Sequence, residues 1–467
     1  SIDEGEVVYI NKKPMIKINI NKRYITLAPV ANLMGIAFNL KDPNNILKNH
    51  KSGITLALVE REHKGLIQET YHNPLNVGFP NGTIKGEFLI DPQQVIGGPD
   101  CIGEGWKMLM DCLSAGRGIS LPATANASSK VASFGILNYI KIRKQFNMTL
   151  SNMEAIQEKV NKMVMDTWII QSSIELTNTI LDNGNSPAVI SAIMKQQTTE
   201  RGRNVLNHAM DIHGGGAICV GHSNFLEKFY KAVPIGITVE GSNTLTRSLI
   251  IFGQGLNKSH PYIHSILDSI IENKEDECMI QFKNIVKHAL TLYVKSFYIT
   301  SNKPINKLDQ QIIHFANLTN FVALKGGSLK KEQMLSGTMA DIFSNLYLAL
   351  SVKDYQNKYN SSTLLTDYIV DKLINENQQY INKVIDNLGY EKYLLLHLKK
   401  QVIYDNYNKE REIFNEIMNN PNILSEIKKN IYIKNDSILN HLQQYNELKS
   451  GGLDILEDRL YNSIINV

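Results

Sequence analysis

The first hundred residues and everything after them follow different periodicities, and this segregation constrains the fold more than any other feature of the chain. Residues 1 to about 95 read as β. Ile16, Ile18 and Ile20 alternate with Lys17 and Asn19, the period of two that a half-buried strand requires. The run ITLALVE from Ile54 is a second strand. Turn signals separate such runs at Asp42-Pro43-Asn44-Asn45, Asn73-Pro74 and Pro80-Asn81-Gly82, and Gly97-Gly98-Pro99-Asp100 closes the segment. The spacing then changes. Trp106, Leu109, Met110 and Leu113 stand at i, i+3, i+4 and i+7, and Ile156, Val160, Met163, Ile170 and Ile174 keep the helical period with Thr167 in the one gap. A further helix carries Leu206 and Met210 and stops at glycines 214 to 216. Residues 258 to 467 read as almost wholly helical, broken at Pro304 and at the glycine pairs 326–327 and 451–452. Strands followed by helices, rather than alternating with them, predict an α+β chain that is mainly α and argue against a doubly wound sheet.

At 467 residues the chain is long enough for two or three domains. Its 49 basic and 45 acidic residues are mixed throughout, so no basic face marks it as a nucleic-acid binder. Cys101, Cys112, Cys219 and Cys278 form no C-x-x-C pair and have no histidine cluster beside them. That argues against a disulfide framework or a metal site and predicts buried thiols in a reducing compartment. No apolar run reaches the roughly 18 residues of a membrane span, and no signal peptide opens the chain. The Asn, Lys, Ile and Tyr of the last two hundred residues read as the codon bias of an AT-rich genome. Ser1 stands where an initiator Met would be, so the chain reads as starting in the middle of something.

Four stretches could carry chemistry. In PIGITVEGSNTLTRSLIIFGQG, from Pro234, Glu240 is a lone carboxylate after a mostly apolar run; an apolar setting raises a carboxyl pKa and suits a general base. The plain reading is a glutamate complementing a helix N-terminus, and on pattern alone it is the commoner case. In DIHGGGAICVG, from Asp211, three glycines could admit a phosphate or ring, or simply cap a helix. The spacing is not that of a dinucleotide fingerprint. In IRKQFN, Arg143 could pair a pyrophosphate or be a solvated helix charge; a second arginine, Arg117, lies in LSAGRGISLPA. In NKRYITLAP, Tyr24 and Thr26 are expected on one face of a strand, where they could flank a flat cofactor or form a surface pair.

In this order, the blocks NKRYITLAP, GEGWKMLMDCLSAGRGISLP, IRKQF, SNFLEKFY and ITVEGSNTLTRSLIIFGQG resemble the acyl-CoA dehydrogenase family, most closely its long bacterial fatty-acid-degrading members. ALKGGSLKKEQMLSGTMADIFSNLYLALSV, from Ala323, resembles the extra C-terminal domain of that subgroup. The resemblance implies a partial central β-domain over 1–100, a helical-bundle dehydrogenase domain over 101–255 and a subgroup-specific helical domain over 256–467. The family's N-terminal helical domain and its Thr/Ser-rich flavin loop have no counterpart here, so a fragment, a split gene or a decayed gene is expected.

The resemblance also implies roles. Glu240 falls on the catalytic base, taking the pro-R proton from the acyl α-carbon while flavin N5 accepts a hydride from the β-carbon. Part of the family keeps its base just before the helix arginine, where Gly116 stands here and cannot serve. Tyr24 and Thr26 fall on the W-I-T/S motif beside the flavin ring, with Tyr for Trp. Arg143 and Gln145 fall on R-x-Q-F, which reaches the FAD of a neighbouring subunit, with Asn147 in place of the usual Gly. Asp211, Gly214 and Gly215 fall on the Q-x-x-G-G stretch that holds the same FAD, with Asp for the amide. Ser242 and Thr244 fall on residues touching the adenosine half, and Arg117 and Gly241 on the substrate side. FAD as cofactor, fatty acyl-CoA as substrate, electron-transferring flavoprotein as acceptor and at least a homodimer follow from the family, as does a cytoplasmic or inner-membrane-peripheral location. Three readings stay open: a dehydrogenase of medium- to long-chain acyl-CoA, an inactive remnant or helical scaffold, and an acyl-CoA oxidase.

Overall fold

A computed structural model describes residues 3–48, 52–185, 187–256, 260–301, 306–403, 406–449 and 464. The chain divides into two compact units, residues 1–115 and 116–467. The first is a six-stranded sheet built from β1 (Glu4–Ile10), β2 (Lys13–Thr26), β3 (Leu33–Lys41), β4 (Gly53–Glu60), β5 (Leu66–His72) and β6 (Asn81–Ile90). The strands lie in the order β4-β3-β1-β2-β6-β5, antiparallel except for the β1–β3 pair. Asn11 and Lys12, both at positive φ, make the two-residue turn from β1 to β2. The expected alternation places Ile16, Ile18 and Ile20 in the sheet's core with Met34, Ile36, Phe38 and Leu40 of β3. β4 buries Thr55, Ala57 and Val59 and leaves Leu58 exposed. Gly97 and Gly98, at φ of 83° and 81°, turn the chain between the last strand of the sheet and the helix that follows.

The second unit is helical. The long helix α1 (Gly105–Ile142) runs into it, followed by the two-residue strands β7 (Lys144–Gln145) and β8 (Met148–Thr149), α2 (Glu154–Asp182), α3 (Ala188–His213) and α4 (Glu227–Thr238). A nine-residue π-helix, Thr246–Gln254, comes next. Then follow α5 (Ile263–Ile271), α6 (Glu275–Ser301), α7 (Lys307–Ala323), α8 (Gln333–Tyr359), α9 (Thr363–Asp386), α10 (Tyr407–Asn419), α11 (Pro421–Lys428) and α12 (Ile438–Lys449). The helical period noted from Ile156 belongs to α2, which buries Val160, Met163, Ile170 and the gap-filling Thr167. α3 stops at Gly214, its C-cap. Gly326 and Gly327 break α7 from α8 in a short 3₁₀ turn; the breaks expected at Pro304 and at 451–452 lie outside the described residues. Among the described residues, no helix is long and apolar enough to cross a membrane.

Two expectations change. The cysteines are all free, but Cys112 and Cys219 are exposed and the other two only half-buried, because each sits at a surface turn or on a solvent face rather than in a core stripe. The asparagines of the tail also carry structural chemistry: Asn306, Asn406 and Asn420 cap α7, α10 and α11 by accepting from backbone N–H groups, and Asn360 ends α8 in the left-handed conformation.

Candidate functional site

The turn from α4 to the π-helix holds the densest polar chemistry. α4 ends at Thr238, and Glu240 and Gly241 follow at φ of 55° and 89°. Glycine takes that conformation freely; for a glutamate it costs roughly 1–2 kcal/mol, so something must hold the turn. Lys195 on α3 does so. Its side chain is fully buried, and its amine donates to the carbonyls of Ile237 (3.0 Å) and Gly241 (2.6 Å) and to Asn243 Oδ1 (2.7 Å). Asn243 in turn donates to Thr199 Oγ1 and Glu200 Oε1, both at 2.9 Å. Burial pulls the Lys195 amine down to about 8; the Glu240 charge opposes that, and Arg117 reinforces it. Arg117 on α1 is 2% exposed. Burial lowers its pKa as well, again against the Glu240 charge.

Glu240 is half-buried, and its Oε2 is buried with no hydrogen-bond partner. The mostly apolar run before it is joined in space by these two cations, which come from helices far away in sequence. A helix does begin just after Glu240, at Asn243. Ser242, not Glu240, caps the following turn, its Oγ accepting from Leu245 N at 3.4 Å. Thr244 is exposed, and its carbonyl accepts from Ser248 Oγ at 2.7 Å.

Arg143 lies just past the end of α1, at the start of the β7–β8 hairpin. Gln145 is exposed, and Phe146 is 87% exposed at the tip. Phe146 and Asn147 both have positive φ. The usual glycine is therefore replaced by the residue type that tolerates the left-handed region best after glycine. Asp211 is exposed and ion-paired to Lys159 at 2.6 Å. After it, a Cβ on Gly214 or Gly215 would meet nothing within 4 Å, whereas one on Gly216 would lie 2.5 Å from the His213 ring. The ring of His213 stacks on Tyr139, and burial pulls its pKa down to about 4.

In the sheet unit, Tyr24 is 70% exposed beside His72, with ring centroids 5.1 Å apart, and Thr26 is exposed. Tyr24 has φ of 60°, and the β2–β6 register shifts between Lys22 and Ile25. The pair thus straddles a bulge, and the i, i+2 rule for one face does not hold across it. Lys195 and Asn243 were missed from sequence. Ser191 to Thr199 is buried throughout, so no alternation of polar and apolar residues singles out the lysine; Asn243 lies within the motif but carries no charge to draw notice. Among the described residues, no group of His, Cys, Asp and Glu could hold a metal.

The chain matches two family models: acyl-CoA dehydrogenase, C-terminal domain, over residues 103–253, and acyl-CoA dehydrogenase, C-terminal, bacterial type, over 257–449. It is similar to Protein HemX of Proteus mirabilis, 43% identical over 99 residues that make up 21% of this chain and 58% of that protein. Probable acyl-CoA dehydrogenase FadE10 of Mycobacterium tuberculosis is 25% identical over 214 residues, 44% of this chain and 32% of the relative. A 3-(aryl)acrylate reductase of Clostridium sporogenes is 25% identical over 237 residues, 50% of this chain and 59% of the relative. The chain thus spans between about a third and three fifths of the length of these relatives. An acyl-CoA dehydrogenase complexed with FAD from Bacillus anthracis superimposes with a TM-score of 0.69 over 90% of this chain and 73% of that one, at 19% identity. That likeness is one of fold.

Proposed function

Because this chain belongs to the acyl-CoA dehydrogenase family, we propose that it is the sheet-and-bundle part of a bacterial FAD-dependent enzyme that oxidises medium- to long-chain fatty acyl-CoA to trans-2-enoyl-CoA, the first step of β-oxidation. The observation that carries this reading is Glu240, held in a left-handed turn by a buried lysine with one buried carboxylate oxygen left free. Strained non-glycine backbone that its surroundings over-determine is characteristic of functional sites. A free carboxylate oxygen can accept a proton from the α-carbon of a thioester. Arg117 and Lys195, both buried, are the cations within electrostatic reach of that carboxylate.

The residues expected around a flavin suit one. The Tyr24 ring is exposed and able to stack, Thr26 offers a hydroxyl, and Arg143 with the outward Gln145 offers donors for a pyrophosphate. Gly214 and Gly215 leave open space for a close backbone approach. Bound FAD would supply the acceptor for the hydride leaving the β-carbon. Asp211, engaged by Lys159, would contribute to the loop's shape rather than to the ligand. Ser242 and Thr244 would reach the adenosine half, and Gly241 the thioester. The exposed Phe146 hairpin supports a reading in which R-x-Q-F serves a second copy of the chain, so a homodimer or larger assembly is part of the proposal, with electron-transferring flavoprotein as the acceptor. Residues 256–467 are proposed as the subgroup's own helical domain.

The test is anaerobic bleaching of bound flavin by palmitoyl-CoA, using the longest natural reading frame that contains this chain. Glu240→Gln should keep FAD binding and abolish bleaching, because an amide cannot take the α-proton. Substantial bleaching in that variant would sink the assignment of the base; no FAD binding in either protein would favour an inactive remnant.

A further inference from the structure

A cavity of about 230 Å³ lies between the π-helix, α6, α7 and α8. Its lining has two kinds of wall. On one side Phe315 stands between Phe343, stacked with it at 5.4 Å and 17°, and Phe252 of the π-helix, edge-on at 6.4 Å. On the other, the rings of His260 and His288 meet edge-on at 5.4 Å, and His260 is hydrogen-bonded to the Asn320 side chain. Asn320 Nδ2 and Thr319 Oγ1 are both buried, and neither has a hydrogen-bond partner. Buried donors are normally paired by protein or ligand, and two unpaired ones on a single cavity wall call for a ligand that accepts. An apolar cavity of ~150 Å³ holds a benzene ring, so this one has room for a ring or a short chain with a polar head. A π-helix in the wall of a cavity is a frequent mark of a functional site.

We propose that this cavity binds a small hydrophobic monocarboxylate of about six to eight carbons, its chain among Phe252, Phe315 and Phe343 and its carboxylate accepting from Asn320 Nδ2 and the Thr319 hydroxyl. The head prefers an anion to a neutral alcohol because the free Asn320 amide, the Thr319 hydroxyl and the His288 imidazole offer donors and, among the described residues, no carboxylate lines the wall. The site is distinct from the Glu240 turn: neither Arg117, Lys195 nor Asn243 lines it. The two are joined along the chain by the π-helix, which starts five residues after Gly241.

Octanoate titrated into the full 467-residue chain, followed by calorimetry and by thermal unfolding, tests this. Saturable one-to-one binding is expected, with a melting temperature that rises with octanoate concentration. Octylammonium, with the same chain and the opposite charge, should bind at least tenfold more weakly. Asn320→Asp, which replaces the donor with a like charge, should weaken octanoate at least tenfold, and Ala316→Leu, which fills the cavity, should abolish binding. Circular dichroism checks that each variant folds; if the aspartate variant does not, Ala316→Leu decides alone. Absence of saturable binding overturns the proposal, as does equal binding of octylammonium or wild-type affinity in the cavity-filled variant. None of these readouts depends on turnover or flavin, so the site can fail while the dehydrogenase reading stands.

Discussion

Lys195 is the residue on which the candidate site turns, and its protonation gives a signed prediction. Burial puts its folded-state value at about 8, below the 10.5 of an ordinary lysine. The folded chain therefore sheds this proton before the unfolded chain does. Its contribution to stability is lowest below pH 8 and rises between pH 8 and 10.5, where the unfolded chain still binds the proton. Lys195→Met removes the titration and leaves the Ile237 and Gly241 carbonyls and Asn243 Oδ1 without their donor. A loss of about 1–3 kcal/mol is expected near neutral pH, the penalty of stranding buried acceptors. Urea unfolding at a series of pH values should show wild type gaining on the variant from pH 8 upward; a gap that narrows with rising pH would mean that the folded chain holds the proton more tightly than the unfolded one, so that the amine's three hydrogen bonds outweigh its burial. Residue-scale strain also bears on two departures from the family pattern and accounts for one of them. Asn147 replaces a glycine at φ of 61°, and Tyr24 replaces a tryptophan in a bulge at φ of 60°. Asparagine tolerates such a backbone well; for tyrosine nothing in the structure explains the choice.

Between elements, the π-helix is clamped to α8. Arg247 donates from Nε to Asp341 Oδ1 at 2.7 Å and from its second nitrogen to Oδ2 at 2.5 Å, and Ser336 Oγ donates to the carbonyl of Ser248 at 2.6 Å. Gly337 makes the clamp possible, because a Cβ there would lie 2.5 Å from the Arg247 guanidinium. On helix propensity alone, Gly337→Ala should stabilise α8 by up to ~1 kcal/mol. The clamp predicts the opposite sign: the methyl displaces Arg247, leaves the half-buried Asp341 without that partner, and costs about 1–3 kcal/mol in denaturant unfolding. The same change in an Asp341→Asn background should cost much less, and equal costs in both backgrounds would count against the clamp. Sequence reading reached the two partners separately. VEGSNTLTR and SGTMAD each lie in a block that resembles the family, and the strand and helix periods around Ile16, Ile156 and Leu206 are legible because periodicity is local. The clamp was not legible: Arg247 and Asp341 are 94 residues apart, and no period connects them. The bulge at Tyr24 and the asparagine caps escaped for a related reason, since each depends on a backbone angle or a partner that composition does not reveal.

On the scale of the whole molecule, each compact unit has its own core. Val7 to Ile102 form that of the sheet unit. A single helical core draws buried residues from both sides of residue 255, Phe252 before it and Leu308 after it among them, so the seam between the two family matches does not divide it. Trp168 of α2 packs edge-on against Tyr355 of α8 at 5.7 Å, and Thr177 shares a 2.8 Å hydrogen bond with Tyr347. The buried Arg201–Asp166 pair is flanked by Asn345. The tail therefore supplies part of the bundle's own interior, although the resemblance implies that shorter family members do without such a tail. A chain ending at Gly255 would expose the faces of α2, α3 and the π-helix that α8 covers. It should lose its cooperative thermal transition and bind a hydrophobic dye. Trp168 reports this directly: it is 3% exposed in the intact chain, whose other tryptophan, Trp106, is 49% exposed. Its emission should shift to the red on truncation, and in a Trp106→Phe background the shift is assignable to Trp168 alone. A truncated chain that keeps blue emission and melts cooperatively near the intact temperature would make the bundle autonomous and the tail an appendage. The Arg247–Asp341 clamp would then act on the Glu240 turn without being needed to fold it.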